Sequence, residues 1–239
     1  MSASNRWVSF DCFGTLVDWQ AWFAEVLGPL GSRTAAEVTR AYHVHERLVE
    51  RESPMRSYKD VLATALVRAT ADAGVRLSPH EARTMLMRSW TTMRLFDDVE
   101  PMLAALRSRG YRLAVLTNCD DDLFWSTHRL FKEPFDLALT AERVRGYKPE
   151  RWHFRGFEAL TRVTRRSWVH VANSWYHDIA PARELGVQHV WLDRDRTGED
   201  PGASIHIHNA IETGGVVESL LGHDSTFVVD HRSPIGASA

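Results

Sequence analysis

The chain has 239 residues, 44% of them hydrophobic, with 29 basic against 31 acidic side chains and a net charge of −2. That is enough apolar material for one large domain, or for a core with a smaller insert. A near-neutral balance gives no electrostatic footprint for nucleic acid or an anionic membrane, and no apolar run approaches the length of a membrane span. The start, Met1 to Arg6, lacks an apolar signal segment, and two cysteines, Cys12 and Cys119, cannot make a disulfide framework. Both features fit an expectation of a cytoplasmic protein.

The first strong pattern is Trp7-Val8-Ser9-Phe10-Asp11-Cys12-Phe13-Gly14-Thr15-Leu16-Val17-Asp18-Trp19. A short apolar run stops at a carboxylate, then a Gly-Thr pair, which predicts a buried strand ending in a tight turn with Asp11 at its carboxyl end. From there to about Arg94 the pattern is helical. One helix is expected from Thr34, with Ala35, Val38, Ala41, Tyr42, His45, Leu48 and Val49 on its apolar stripe. A second is expected over 58–73, closed by Gly74, and a third opens at Ser78-Pro79-His80-Glu81, a cap followed by proline in the first turn.

From Phe96 onward strands and helices alternate. A helix over 101–109 precedes a strand over 111–116 that runs into Thr117 and Asn118. A helix over 121–131 and a strand over 135–139 follow. Lys148-Pro149 is expected to open a helix reaching about 163, ahead of a strand over 168–171 that ends at Asn173-Ser174. A helix over 178–185 and a strand over 189–192 complete the series. Such alternation means a parallel sheet covered on both faces. The expected fold class is α/β: a doubly wound, Rossmann-like core of residues 1–16 and 97–222, a helical cap over 17–96 and a tail over 223–239.

Polar groups stand at four strand ends or loops: Asp11 and Thr15, Thr117 and Asn118, Lys148, and Asn173, Ser174 and Asp178. Each has an ordinary explanation as a helix cap or a surface charge. Together they fall on the one edge of the sheet where α/β proteins bind ligands, and Asp11 is a candidate nucleophile.

The order Asp-x-Phe-Gly-Thr-Leu-Val-Asp, then Leu-Thr-Asn, Tyr-Lys-Pro and Asn-Ser-x-x-x-Asp resembles the haloacid dehalogenase superfamily, and within it the L-2-haloacid dehalogenase branch. The resemblance covers about Trp7 to Leu221. It implies Asp11 as nucleophile, Thr15 as the hydroxyl orienting it, and Thr117 with Asn118 binding the substrate's carboxylate or phosphate. It implies Lys148 as the balancing cation, Asp178 as the acid of the last motif and Asn173 as the polar group ahead of it. It further implies a homodimer and no cofactor.

Phe13 separates two reaction types. Phosphatases of this superfamily resemble one another in a second Asp two residues after the nucleophile, and such an acid is worth about 10²–10⁴-fold in rate. Phe13 cannot supply a proton, and Asn173 replaces a carboxylate expected near magnesium. Halide needs no proton to leave, so the sequence leans towards substitution at carbon with no metal. The branch's halide-cradling cap arginine falls near His43 or His45, its tyrosine after the lysine motif appears as Phe154, and an asparagine of the last motif appears near Trp175. Trp19, one of the two histidines, Trp175 and also His177 are expected to line a leaving-group pocket. The expected function is hydrolysis of a small 2-haloalkanoic acid through an aspartyl ester. The alternatives are the same attack on a non-halide substrate such as an azetidine carboxylate, a magnesium-dependent phosphatase, or a binding protein without activity.

Overall fold

Six parallel strands carry the fold: β1 (Trp7–Phe10), β2 (Arg112–Thr117), β3 (Leu137–Thr140), β4 (Trp168–Ala172), β5 (Gln188–Leu192) and the two-residue β6 (His206–Ile207). A computed structural model of the chain describes residues 5–196 and 205–222. The expected tail over 223–239 lies outside the described residues. Strands with both faces covered must be apolar along their whole length, and β1 and β4 are buried at every position. The strand order is β3-β2-β1-β4-β5-β6. Its direction reverses between β1 and β4, so the crevice at their carboxyl ends is the switch point of an open, doubly wound sheet. Asp11 and Asn173 sit on the two sides of that crevice.

Helices α1 (Trp19–Leu27), α2 (Ser32–Glu50), α3 (Tyr58–Asp72) and α4 (Pro79–Ser89) lie between β1 and β2 in the chain. The remaining helices, α5 (Val99–Ser108), α6 (Asp121–His128), α7 (Ala141–Val144), α8 (Trp152–Thr161), α9 (Ala180–Glu184) and α10 (Thr213–Leu221), belong to the alternating part. Packing of α1–α4 does not make a second core among the described residues. Phe23, Tyr42, Leu62 and Leu86 belong to the same apolar cluster as Val8, Phe10 and Val115 of the sheet. Trp90 stitches the two parts, its ring edge-on to Phe13 at 5.2 Å and its indole N–H donating to Thr127 Oγ1 of α6 at 3.0 Å.

Three expectations change in detail. The buried face of α2 is set by Val38, Tyr42, Glu46 and Val49, while Leu48 is 51% exposed. A carboxylate can replace an apolar residue on that face because the hydroxyls of Tyr42 and Tyr58 donate to Glu46 at 3.2 and 2.9 Å. The helix expected from Lys148 starts only at Trp152, since the chain first turns at Tyr147, whose carbonyl accepts from the Glu150 amide at 3.0 Å. Asp178 lies not at a helix start but inside a π turn, Trp175–Ile179, a wider coil that recurs at functional sites.

The start of α4 is closed by a reciprocal cap. Ser78 Oγ accepts from the Glu81 amide at 3.2 Å, and the Glu81 carboxylate accepts from the Ser78 amide at 2.9 Å. Replacing Ser78→Ala is expected to lower stability by about 1 kcal/mol. Urea denaturation measures this as a lower midpoint with an unchanged slope, and turnover stays that of the parent.

Candidate active site

The turn after β1 fixes Asp11. The Asp11 amide still donates to Val171 O at 3.2 Å, so Asp11 is held by the neighbouring strand. The Cys12 carbonyl then accepts from the Leu16 and Val17 amides at 2.8 and 3.0 Å, which curls the chain tightly. Gly14 stands in that curl at φ +84°, a left-handed conformation that side chains resist. The curl brings Thr15 Oγ1 to 2.9 Å from Asp11 Oδ2, to which it donates, while the same oxygen accepts from the Asn173 amide at 2.9 Å. One hydroxyl thereby joins the ends of β1 and β4.

Lys148 is 1% exposed, and its three ammonium protons are all used. They go to Asp11 Oδ1 at 2.8 Å, Asp178 Oδ1 at 2.6 Å and Leu116 O at 2.8 Å. Two buried carboxylates therefore share one cation. Burial would lower the lysine's pKa, but the two carboxylates outweigh it and raise it, so Lys148 is an ammonium. Asp178 is pulled down to about 2: burial opposes this, but the Lys148 charge and a hydrogen bond from His170 prevail. Asp11 is pushed above its ordinary value, by burial first and by the charge of Asp178, with Lys148 opposing.

Asp178 is itself oriented from beneath the sheet. Trp168 Nε1 donates to Ser9 Oγ at 2.7 Å, Ser9 Oγ lies 2.8 Å from His170 Nδ1, and His170 Nε2 lies 3.0 Å from Asp178 Oδ1. The Asp178 carboxylate only accepts, so the ring proton sits on Nε2, and Nδ1 accepts from the Ser9 hydroxyl, which in turn accepts from the Trp168 indole. Ser9 and His170 face each other in the β1–β4 register. Asp178 borders the cavity, and its Oδ2 is buried with no hydrogen-bond partner among the described residues.

Asn118 spends its amide on the scaffold. Its Oδ1 accepts from the Lys148 amide at 2.7 Å, and its Nδ2 donates to the Lys148 carbonyl and to Glu50 Oε1, both at 3.0 Å. Thr117 Oγ1, also at the cavity wall, has no nitrogen or oxygen partner among the described residues. Asn173 fastens the following loop, with Oδ1 accepting from the Arg194 amide and Nδ2 donating to Asp195 Oδ2, both at 2.9 Å.

The strand ends and α2 enclose a cavity of about 550 Å³. Asp11, Phe13, Trp19, His43, Thr117, Asn118, Lys148, Asn173, Trp175 and Asp178 all border it, so nearly every residue named from the sequence meets there. His43 lies against Trp19, ring centroids 5.5 Å apart. His45 does not border the cavity; it turns along α2 to α3, with Nε2 2.7 Å from Asp72 Oδ2. Phe154 is fully buried beneath the sheet, edge-on to His170 at 5.1 Å, and does not reach the cavity.

The sequence did not single out the acids on the wall of α2. Glu46 and Glu50, one turn apart, border the cavity with Arg47. Glu50 also accepts from His177 Nε2 at 3.1 Å. Burial pushes the Glu50 carboxyl up, with His177 and Asn118 opposing. Burial disfavours a charged His177, yet Glu50's hydrogen bond and charge outweigh it and raise its pKa. A four-residue spacing of Glu on the face that carries Tyr42 was the available signal.

The arrangement offers a fixed carboxylate paired with a buried cation, and beside it a second carboxylate with one oxygen unpartnered among the described residues. The Lys148 ammonium joins Asp11 to Asp178 at 2.8 and 2.6 Å, and the Asn173 amide is turned to Arg194 and Asp195.

A family model described as haloacid dehalogenase-like hydrolase matches residues 10–192. The haloacetate dehalogenase H-2 of Moraxella sp. (strain B) is 28% identical over 134 residues, 53% of this chain and 59% of that protein. The phosphoserine phosphatase of Thermus thermophilus is 34% identical over 114 residues, 46% of this chain and 45% of that protein. The chain thus spans about half the length of the curated relatives it matches. The L-2-haloacid dehalogenase of Xanthobacter autotrophicus, solved with chloropropionic acid covalently bound, superposes with a TM-score of 0.76 at 16% identity. That match covers 89% of this chain and 98% of the other. At that identity the likeness is one of fold.

As pH falls, Asp11 is expected to take a proton before Asp178, above the ordinary aspartate value of 3.8. Carboxyl-carbon NMR, with the Asp11 signal assigned by its loss in Asp11→Asn, checks the order. The reverse order would mean that Lys148 favours Asp11 over Asp178.

Proposed function

The chain belongs to the haloacid dehalogenase-like hydrolases, and on that footing we propose that it hydrolyses a small 2-haloalkanoic acid through a covalent ester on Asp11. The observation that carries this reading is the pairing of Asp11 with Lys148 and Thr15 at 2.8 and 2.9 Å, beside a phenylalanine where a proton donor would stand in a phosphatase. Asp11 Oδ attacks carbon 2, the carbon–halogen bond breaks with inversion, and halide leaves with the bonding pair. Water then adds to the carboxyl carbon of the ester. Asp178 Oδ2, unpartnered within the described residues, takes the water's proton and returns it to the alkoxide oxygen as the ester C–O bond breaks, and the proton left on the Asp11 carboxyl is lost to solvent. The hydroxy acid departs and Asp11 is restored.

The substrate's carboxylate is assigned to Arg47 and the Thr117 hydroxyl. Arg47 makes no ion pair among the described residues and lies over the Tyr176 ring at 4.5 Å. The leaving halide is assigned to the N–H and ring edges of His43, Trp19 and Trp175. Glu46 and Glu50 favour a second reading within the same chemistry. An acidic wall accommodates an ammonium group, so a 2-substituted acid that also carries an amine, such as an azetidine carboxylate, fits the cavity. A panel of chloro-, bromo- and fluoro-acids beside the azetidine acid separates the two.

A single turnover in heavy-oxygen water tests the covalent step. Label is expected in the peptide carrying Asp11 and not in the product, and Asp11→Asn is folded and inactive. Label entering product directly would assign Asp11 as a base acting on water.

His43→Ala is expected to lower kcat by about tenfold or more, whereas His45→Ala, altering a residue outside the cavity, keeps the parent's kcat. Steady-state kinetics of the two variants decides, and equal behaviour would remove His43 from the leaving-group pocket.

A further inference from the structure

At the far edge of the sheet, three side chains converge that the reaction does not use. Asp193 follows β5, and His206 and His208 flank Ile207 of β6. Alternation along an extended chain sends residues 206 and 208 to one face and Ile207 to the other, and Ile207 is indeed in the core at 5% exposure. The backbone beneath them is held in register. Trp191 pairs with His206 and Leu192 with Ile207, and the Asp193 amide donates to Ile207 O at 2.9 Å. The Asp193 carboxylate is 1% exposed, with Oδ2 3.1 Å from His206 Nε2 and 4.0 Å from His208 Nδ1. One donor atom from each of the three residues lies within 4.8 Å of the others. The Trp191 ring stacks on His206 at 4.4 Å with 15° between the planes, which fixes the direction of that imidazole.

We propose that Asp193, His206 and His208 form a binding site for a late first-row divalent cation, with zinc as the best fit. Two imidazole nitrogens and one carboxylate oxygen are a donor set that zinc, cobalt and nickel accept and that magnesium and calcium, which take oxygen, do not. Bonds of about 2.0–2.2 Å to a tetrahedral ion put donors roughly 3.3 Å apart, and the observed 3.1 and 4.0 Å bracket that spacing. His208 Nδ1 now lies 3.1 Å from the Asp193 carbonyl oxygen, a contact that the half-exposed ring exchanges for the ion by turning towards Oδ2. A fourth position faces the exposed side of the cluster and takes water.

The ion's work is at the edge strand. β6 pairs through two residues only, too short a ladder to hold an edge by itself. A cation bonded to Asp193 on one side and to His206 of β6 and His208 just after it on the other fastens that edge to β5. The hold extends to the cavity rim, because Asp195, two residues on, accepts from Asn173 and Gln20 at 2.9 and 3.2 Å. None of the three ligands is assigned a part in the reaction at Asp11, although Asp193 borders the same cavity.

Cobalt titration of the chelator-stripped, dialysed full chain tests it, because cobalt bound by nitrogen and oxygen ligands gives visible d–d bands. The expected result is bands that saturate at one cobalt per chain, disappear when zinc is added, and are absent in His206→Ala and His208→Gln. His43→Ala, which alters a histidine on the α2 side of the cavity, keeps them. Zinc, and not magnesium, should also raise the thermal midpoint of the parent and leave that of His208→Gln unmoved. His208 is half-exposed, so its variant remains a valid test if His206→Ala fails to fold. Absence of bands in the parent, or bands that survive in His208→Gln, overturns the site; in the first case the cluster is an ion pair of Asp193 with its histidines.

Discussion

A single ammonium group holds this active site in place. Lys148 Nζ bonds Asp11, Asp178 and the end of β2 at once, in a place with almost no access to solvent. Without it, two carboxylates would face each other in a medium that penalises each of them, and one would have to take a proton. With it, three chain segments that are remote in sequence are tied at one atom. Removing one partner from a buried ion pair costs about 3–5 kcal/mol, since it leaves an uncompensated charge. The fold around the crevice can therefore be seen as the frame that delivers Lys148 to that point. Asn118 clamps its backbone on both sides, and the Trp168–Ser9–His170 chain aims Asp178 at it.

Much of this was legible in the chain, for local reasons. Asp11 and Thr15 stand at a strand end with a glycine between them, and such a pattern specifies a turn without help from distant residues. Lys148, Asn173 and Asp178 were found through their order along the chain, and the structure brings them to one cavity. The Ser9–His170 pair was not found. A single polar residue inside an apolar strand carries no pattern, and what joins these two is a register between strands 161 residues apart.

Helix phase accounts for the other gaps. Residues 43 and 45 lie some 200° apart around α2, and their placement depends on which side of the helix meets the core. An apolar stripe that includes Leu48 rotates the helix towards His45, whereas the real inner face runs through Glu46. Glu46 is held inside by the hydroxyls of Tyr42 and of Tyr58, the second from a different helix. A tertiary contact of that kind overrides the hydrophobic period. The His206-Ile207-His208 alternation is short for the opposite reason: two paired residues are too few to establish a period of two.

The contacts of Glu50 have a consequence for the position of α2. Its carboxylate is bound by Asn118 from the sheet and His177 from the π turn, so it fastens α2 to both. Hydrogen bonds to a charged group contribute about 1.5–3 kcal/mol each, and lifting α2 from the strand ends would break both together. The apolar cluster that runs without interruption from α2 into the sheet adds to that resistance. Any displacement of α2 therefore has to break contacts to two separate parts of the cavity wall at once, so Glu50 couples the position of that helix to the ends of β2 and β4.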